Sequence, residues 1–551
     1  MPISLASYLG GARRLQLKEG NKANVNRREF LESIALSVAA TTGRHVIAPL
    51  QALTSGHIAS QPNLALQANP AFVPNVELEL TARTAHHEIL PGTATSTWSY
   101  SGKLLKGRAG TLEDSRSYLG PAIRLRKGDK VRVHFHNELP ETTIVHWHGL
   151  AVPAPMDGHP RLVIPTGAQY LYEFEVQDRA SHYWYHPHPD DRTGAQVYRG
   201  LAGHLFVSDD EESSLRLPSG EHEIPLIIHD RTFDNDHQLT YISSRMDAMT
   251  GFLGETILVN GIVNQQLKLA TSVYRLRILN GSNSRIYKLA WSNGMPLTLI
   301  ATDGGLLERP LRKPYLVLGP AERADVILDL SGQTVGSSVE LQSRAFPAPQ
   351  MMMGGGMGRG MGRGMRGSGG VGLEQGSEFK ILRVGIEKKE KAGFRLPARL
   401  SQTRFRRRQE AENANQPRVF PLSFMRMQWL LNNSTFEMDA VKENETFNAG
   451  SLQVLEFRNI TMGMMQMAHP IHLHGGQFQV LKRTPAAGMD DLAAALHDGL
   501  TDEGWKDTVL VLPGEQVQLL MRFPQFKGLF LYHCHILEHE DMGMMRNYRL
   551  T

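Results

Sequence analysis

Four His-x-His clusters constrain this 551-residue chain more than any other feature. They are His146-Trp-His148-Gly, His186-Pro-His188, His469-Pro-Ile-His472-Leu-His474-Gly and His533-Cys534-His535. In a strand, residues two apart face the same side, so each cluster aims two imidazoles into one space. Two clusters lie between residues 146 and 188 and two between 469 and 539. The eight imidazoles converge only if these distant stretches meet face to face. Eight ring nitrogens are too many for one ion and suit a group of several.

The single cysteine narrows the chemistry. With one thiol no intramolecular disulfide exists, which excludes a disulfide-stapled scaffold. Cys534 alternates with His533 and His535, so its sulfur points to the opposite face of the strand. His469 is an odd number of residues from His472 and is expected to point away with it. His539 and Met544 follow on what reads as a short loop. One Cys, two His and a more distant Met are the donor set of a blue-copper electron-transfer site. A buried free cysteine beside structural histidines would explain one cluster. It does not explain four clusters joined to Cys-x4-His-x4-Met. Zinc fits less well, because its sites take four ligands and nothing in its chemistry needs this site beside a multi-histidine one. His134-Phe-His136 is a control: Val131, Val133 and Phe135 form the apolar face of that strand, leaving Arg132, His134 and His136 toward solvent.

From about residue 72 the chain alternates apolar and polar residues with period two. Examples are 76–80, 130–136, 169–176, 274–279, 324–330 and 516–521. Short alternating runs separated by Gly, Pro and Asn predict β-sandwiches or barrels. One phrase repeats: Asn137-Glu-Leu, Asn280-Gly-Ser and Asn459-Ile-Thr each close a strand, about 140 to 180 residues apart, the length of one β domain. The expected fold is all-β, with three tandem domains at 72–215, 216–390 and 410–551. A charged segment, 391–409, carries Arg404, Arg406, Arg407 and Arg408 and is expected to be a solvated linker. A Met/Gly-rich insert at 351–370 interrupts the second domain and is expected to be a flexible loop.

The basic residues Arg13, Arg14, Lys18 and Lys22 precede Asn26-Arg27-Arg28-Glu29-Phe30-Leu31 and a mildly apolar stretch. That order predicts an export signal of the twin-arginine type within 1–71, and so a periplasmic or secreted protein. A helix N-terminus with two adjacent arginines is the alternative. The net charge of +4, from 59 Lys and Arg against 55 Asp and Glu, gives no reason to expect nucleic-acid binding. No apolar run approaches the roughly 18 residues of a membrane span.

Taken together, these residues resemble the multicopper oxidases, above all the bacterial three-domain laccases and copper-efflux (cuprous) oxidases. The likeness extends to Thr97-Trp-Ser-Tyr, Gly200-Leu-Ala-Gly, Gly251-Phe-Leu-Gly and Ala301-Thr-Asp-Gly-Gly-Leu-Leu. It implies cupredoxin-like Greek-key domains, four copper ions, and one-electron oxidation of a small-molecule donor or Cu(I) coupled to reduction of O2 to water by a monomer. It implies a type 1 copper on His469, Cys534, His539 and, axially, Met544. It implies a type 2 copper on His146 and His472. The type 3 pair would take His148, His186 and His535 on one ion and His188, His474 and His533 on the other. Asp157 matches the family's acid near the type 2 copper, and Glu540 the acid on the type 3 side. Two departures stand out: Pro189-Asp190-Asp191 after His188, and an insert without histidine. A copper-binding carrier and a structural cupredoxin protein are the competing functions. Soft thioethers suit Cu(I), so Met351, Met352, Met353, Met357, Met361 and Met365 are expected to recruit it and pass it on through Met467.

Overall fold

The alternating stretches become strands, and the cause is visible in their burial. In the computed structural model, which describes residues 67–348, 373–391, 393–460, 466–488 and 490–551, the strand Lys130–Asn137 buries Val131, Val133 and Phe135 and leaves Arg132, His134 and His136 half-buried. Each such apolar side chain removed from water adds roughly 1.5–3 kcal/mol. His134 lies 2.7 Å from the Glu77 carboxylate at the solvent face, as expected of the control pair. The first half of Val76–His87 follows the same rule and Gln169–Glu175 and Gln516–Arg522 follow it in part, whereas Val273–Asn280 and Arg323–Asp329 are covered on both faces. The export signal, the Met/Gly run 351–365, Met462, Met464 and Met465 lie outside the described residues.

Among the described residues there are six sheets, and three apolar cores each join two of them. The fold is all-β, with cupredoxin-like sandwiches in tandem. All three are wired alike. Val76–His87 runs parallel to Lys130–Asn137, Glu223–Phe233 to Val273–Asn280, and Arg418–Met425 to Leu452–Asn459. The second strand of each pair ends on the repeated asparagine, and that residue does the same work each time. The Asn137 amide donates to the Glu141 and Ile164 carbonyls at 2.9 and 2.8 Å. Asn280 donates to Arg285 and Leu318 at 2.8 and 2.9 Å, and Asn459 to Met467 and Val511 at 2.7 and 3.2 Å. Each ties its strand end to a loop and to the facing strands, satisfying carbonyls that burial would otherwise leave unpaired.

The segment 391–409 differs from the expected solvated linker. Arg404, Arg406 and Arg407 are exposed, but Leu400 and Ser401 are buried. Phe405 stacks on Trp505 at 5.7 Å, and the Arg406 amide donates to Gln479. Apolar residues between the arginines pin the backbone to neighbouring strands. No helix among the described residues is long and apolar enough to cross a membrane.

Candidate metal centres

Strand pairing gathers the histidines. Val145–His148 pairs antiparallel with Ser181–Pro187 and sets His146 opposite His186. His469–Leu473 pairs with Gly528–Cys534 and sets His472 opposite His533, and Ile471 opposite Cys534. Opposed residues share a face. His472 and His533 therefore look one way, and Cys534 looks the other, together with His469. Only His146 and His148 lie wholly within a strand. In the other three clusters the second histidine falls just past the strand end, yet the side-chain parity persists.

Two glycines let the backbone close around this junction. Gly158 has φ +87°, and a Cβ there would meet the Val145 carbonyl at 2.6 Å and the His146 Cα at 2.8 Å. A side chain would push the Asp157 loop off the strand that carries His146. Gly149, at φ +91°, lies against the Asp507 carboxylate and the Arg323 guanidinium. No other residue tolerates both the left-handed backbone and the contact.

Eight imidazoles, fully buried, converge here in three groups: His146, His148 and His472; His148, His186 and His535; His188, His474 and His533. Their second nitrogens define the tautomers. His146 Nδ1 donates to the Asp157 carbonyl at 2.6 Å and His472 Nδ1 to the Asp507 carbonyl at 2.8 Å. Both Nε2 atoms then carry lone pairs, and they face each other at 3.3 Å. His148 Nε2 donates to the Asp507 carboxylate at 3.1 Å and His186 Nδ1 to the Pro187 carbonyl at 2.9 Å, so His148 Nδ1 and His186 Nε2 also oppose lone pairs at 3.3 Å. His188 Nε2 and His474 Nε2 each lie 3.2 Å from His533 Nε2. Neither nitrogen of His535 has a hydrogen-bond partner. Burial, and then the neighbouring rings, hold His146, His148, His472, His474 and His535 well below the usual histidine value. Neutral rings opposing lone pairs have no proton to share. A cation that accepts nitrogen donors satisfies them, so the residues fit copper.

The two acids in this pocket are poised oppositely. Burial pushes the Asp157 carboxyl well above the usual carboxylate range. Its Oδ2 is 2.8 Å from His474 Nδ1. Burial also raises Glu540, but the facing His533 and His188 more than reverse this and leave it at about 2. The carboxylate lies 2.9 Å from His533 Nδ1, outside hydrogen-bond geometry, and 3.5 Å from His188 Nε2. Asp190 and Asp191 are exposed beyond buried His188, and burial, with the charges of Asp191 and Glu540, holds Asp190 up at about 6.

The cysteine occupies a separate pocket within the third sandwich. Cys534 Sγ lies 3.5 Å from His469 Nδ1 and 3.7 Å from His539 Nδ1, and the Ile536 amide donates to it at 3.4 Å. His539 sits on a helical turn, Leu537–Asp541, rather than on an open loop. Met544 is fully buried in the same apolar cluster as Cys534. Its amide donates to the His539 carbonyl, and its carbonyl accepts from the Cys534 amide. His539 Nε2 donates to the Met249 carbonyl at 3.0 Å, which aims Nδ1 at the sulfur. Trp429 donates to the same carbonyl at 2.9 Å, with its ring 4.6 Å from His469 and 4.7 Å from His539. The donor set and its apolar surround suit a copper–thiolate centre.

Sequence reasoning missed Asp507, Arg323, Met249 and Trp429. Asp507 orients both His148 and His472 and is itself ion-paired with Arg323 of the second sandwich. No spacing announces such contacts, because each partner comes from a different part of the chain.

Comparison with known proteins agrees with this geometry. Two family models, each described as multicopper oxidase, match residues 95–212 and 407–551. Multicopper oxidase mco of Staphylococcus haemolyticus is 32% identical over 444 residues, covering 80% of this chain and 84% of that protein. A Bacillus subtilis laccase is 30% identical over 526 residues, covering 86% and 94%. Cell division protein FtsP of Escherichia coli is 33% identical over 310 residues, covering 56% and 61%. The crystal structure of the McoA multicopper oxidase from Aquifex aeolicus superposes with a TM-score of 0.71 at 33% identity, covering 87% of this chain and 97% of that one.

Proposed function

The chain belongs to the multicopper oxidase family, and from that premise we propose that it oxidises a small reducing donor, one electron at a time, at a type 1 copper and reduces O2 to water at a three-copper cluster. Four donors each lose one electron, and one O2 takes up four electrons and four protons to give two waters. Bound copper supplies the electron transfer and the O2 chemistry. The protein's own residues supply ligands, orientation and protons.

In this reading His469, Cys534, His539 and Met544 would hold the type 1 ion, and His146 and His472 the type 2 ion. His148, His186 and His535 would hold one type 3 ion, and His188, His474 and His533 the other. Cys534 is bonded through the backbone to His533 and His535, so one covalent stretch joins the two pockets. Asp157, whose carboxyl burial raises, and Glu540, whose carboxyl is held low, would divide the proton handling between them, as acids with opposed pKa shifts do elsewhere. The observation that carries the proposal is the set of opposed imidazole lone pairs beside a separate Cys–His–His pocket.

The test is copper loading followed by an oxygen electrode. Four ions per chain, a blue band, and O2 uptake with a phenolic donor or Cu(I) are expected. Full loading without O2 uptake would favour the second reading, a copper carrier or structural protein, for which the likeness to a cell division protein gives a reason. The donor is phenolic or aromatic, or Cu(I). Deleting 351–365 should slow Cu(I) oxidation and spare a bulky phenol if the methionine run recruits the metal. The proposal extends to domains at 72–215, 216–390 and 410–551 and to twin-arginine export of a monomer to the periplasm.

A further inference from the structure

One helical turn, Leu537–Asp541, carries four consecutive polar residues that engage different parts of the molecule. His539 enters the cysteine pocket and Glu540 the imidazole pocket. Asp541 accepts from the amides of Thr193 and Gly194 at 2.8 and 2.9 Å, just beyond His188 in the first sandwich. Glu538 turns to the second sandwich, which supplies none of the proposed ligands. Its Oε1 accepts from the Tyr241 hydroxyl at 2.7 Å and from the Asn283 amide at 3.0 Å, and its Oε2 accepts from the Ser284 hydroxyl. The Asn283 carbonyl in turn accepts from the Leu537 amide at 3.1 Å.

Glu538, Asn283 and Ser284 are all buried. A carboxylate out of water is unfavourable by several kcal/mol unless donors surround it. Here three donors do, and they come from one short stretch and a tyrosine, so the arrangement is satisfied at only one position of the turn. That position sets what happens next to the sulfur. Ile536, at the start of the turn, donates its N–H to Cys534 Sγ, and its carbonyl receives the amides of His539 and Glu540 at 2.9 and 3.0 Å. An N–H aimed at a thiolate draws electron density from the copper–sulfur bond and favours the reduced ion. The Met249 carbonyl, also from the second sandwich, meets His539 from the other side.

We propose that Glu538 is a positioning residue through which the second sandwich tunes the type 1 centre. By locking the turn to Asn283, Ser284 and Tyr241, it holds the Ile536 N–H on the sulfur and His539 at its distance from Cys534. The inference rests on the type 1 reading of the cysteine pocket.

The experiment uses the copper-loaded full chain and compares wild type with Glu538→Ala, Glu538→Gln and Tyr241→Phe. The readouts are the type 1 potential by redox titration of the blue band, the copper hyperfine splitting, and loss of type 1 copper to a chelator. Glu538→Ala should lower the potential, change the splitting, and release copper about ten-fold faster. Glu538→Gln can still accept from Tyr241 and Asn283 and can donate to the Ser284 oxygen, so it should stay near wild type. Tyr241→Phe should move the potential in the same direction as the alanine, by less. Two results would overturn the proposal. One is Glu538→Ala at the wild-type potential and splitting, even if it melts earlier, which makes the residue a plain anchor. The other is an equal rise in Glu538→Gln and Glu538→Ala, which makes the effect one of charge. If Glu538→Ala does not fold, Tyr241→Phe decides, and an unmoved potential there rejects the inference. A wild type with no blue band overturns the type 1 reading and this inference together. A blue wild type with unmoved variants overturns the inference alone.

Discussion

The two pockets use the same residue type to different ends. The imidazole pocket is built where the first and third sandwiches meet, and carboxyl groups line it: Asp157 beside His474, Glu540 beside His533, Asp507 beside His148. The cysteine pocket lies within the third sandwich, and its histidines meet a backbone carbonyl and an indole instead. Glu538 and Glu540 are on its own turn, yet both point elsewhere. Reduction of O2 consumes protons, and passage of an electron does not. Under the proposed function, acids would stand where protons are needed and be kept out where a fixed charge would only oppose reduction of the metal.

The largest effect that tests this contrast is loss of the sulfur. Cys534→Ser should abolish the blue band and donor oxidation, while copper stays in the imidazole pocket by elemental analysis. A blue serine variant would place the type 1 centre elsewhere. Next, Asp157→Asn and Glu540→Gln should each slow O2 turnover by roughly 10²-fold, the usual worth of a placed acid or base. Anaerobic bleaching of the blue band by donor, followed by stopped flow, should be unchanged in both. A bleaching defect of equal size would erase the distinction between the pockets. Stripping copper should lower the melting temperature by about 5–10 °C, because ligand lone pairs are left opposed and buried. Reloading should restore it. The smallest effect is expected of Met544→Leu, which removes a thioether that stabilises Cu(II) and should raise the type 1 potential modestly. No change, or a fall, would point to Met545 instead.

Much of this is legible in the sequence. The strands around Val131, Val133 and Phe135 followed from period-two alternation, which records burial on one face. The opposed faces of Cys534 and His533 followed from strand parity alone. The repeated asparagine marked the strand end in all three sandwiches, although its double hydrogen bond to loop and facing-strand carbonyls was invisible. The linker expectation fits the exposed arginines but took no account of buried Leu400 or of Phe405, which stacks on Trp505 while staying exposed.

What the sequence by itself determined is the local part: which residues alternate, which donors share a face, and that Cys-x4-His-x4-Met can wrap one ion. These follow from bonded geometry within a few residues. Only the tertiary structure decided that Asp507 orients two of the histidines, that Met249 and Trp429 frame His539, and that Glu538 reaches the second sandwich. It also decided the opposite directions in which the Asp157 and Glu540 carboxyls are shifted. The physical reason is that hydrogen bonds and desolvation depend on which groups meet in space, and most of these partners lie tens to hundreds of residues apart along the chain.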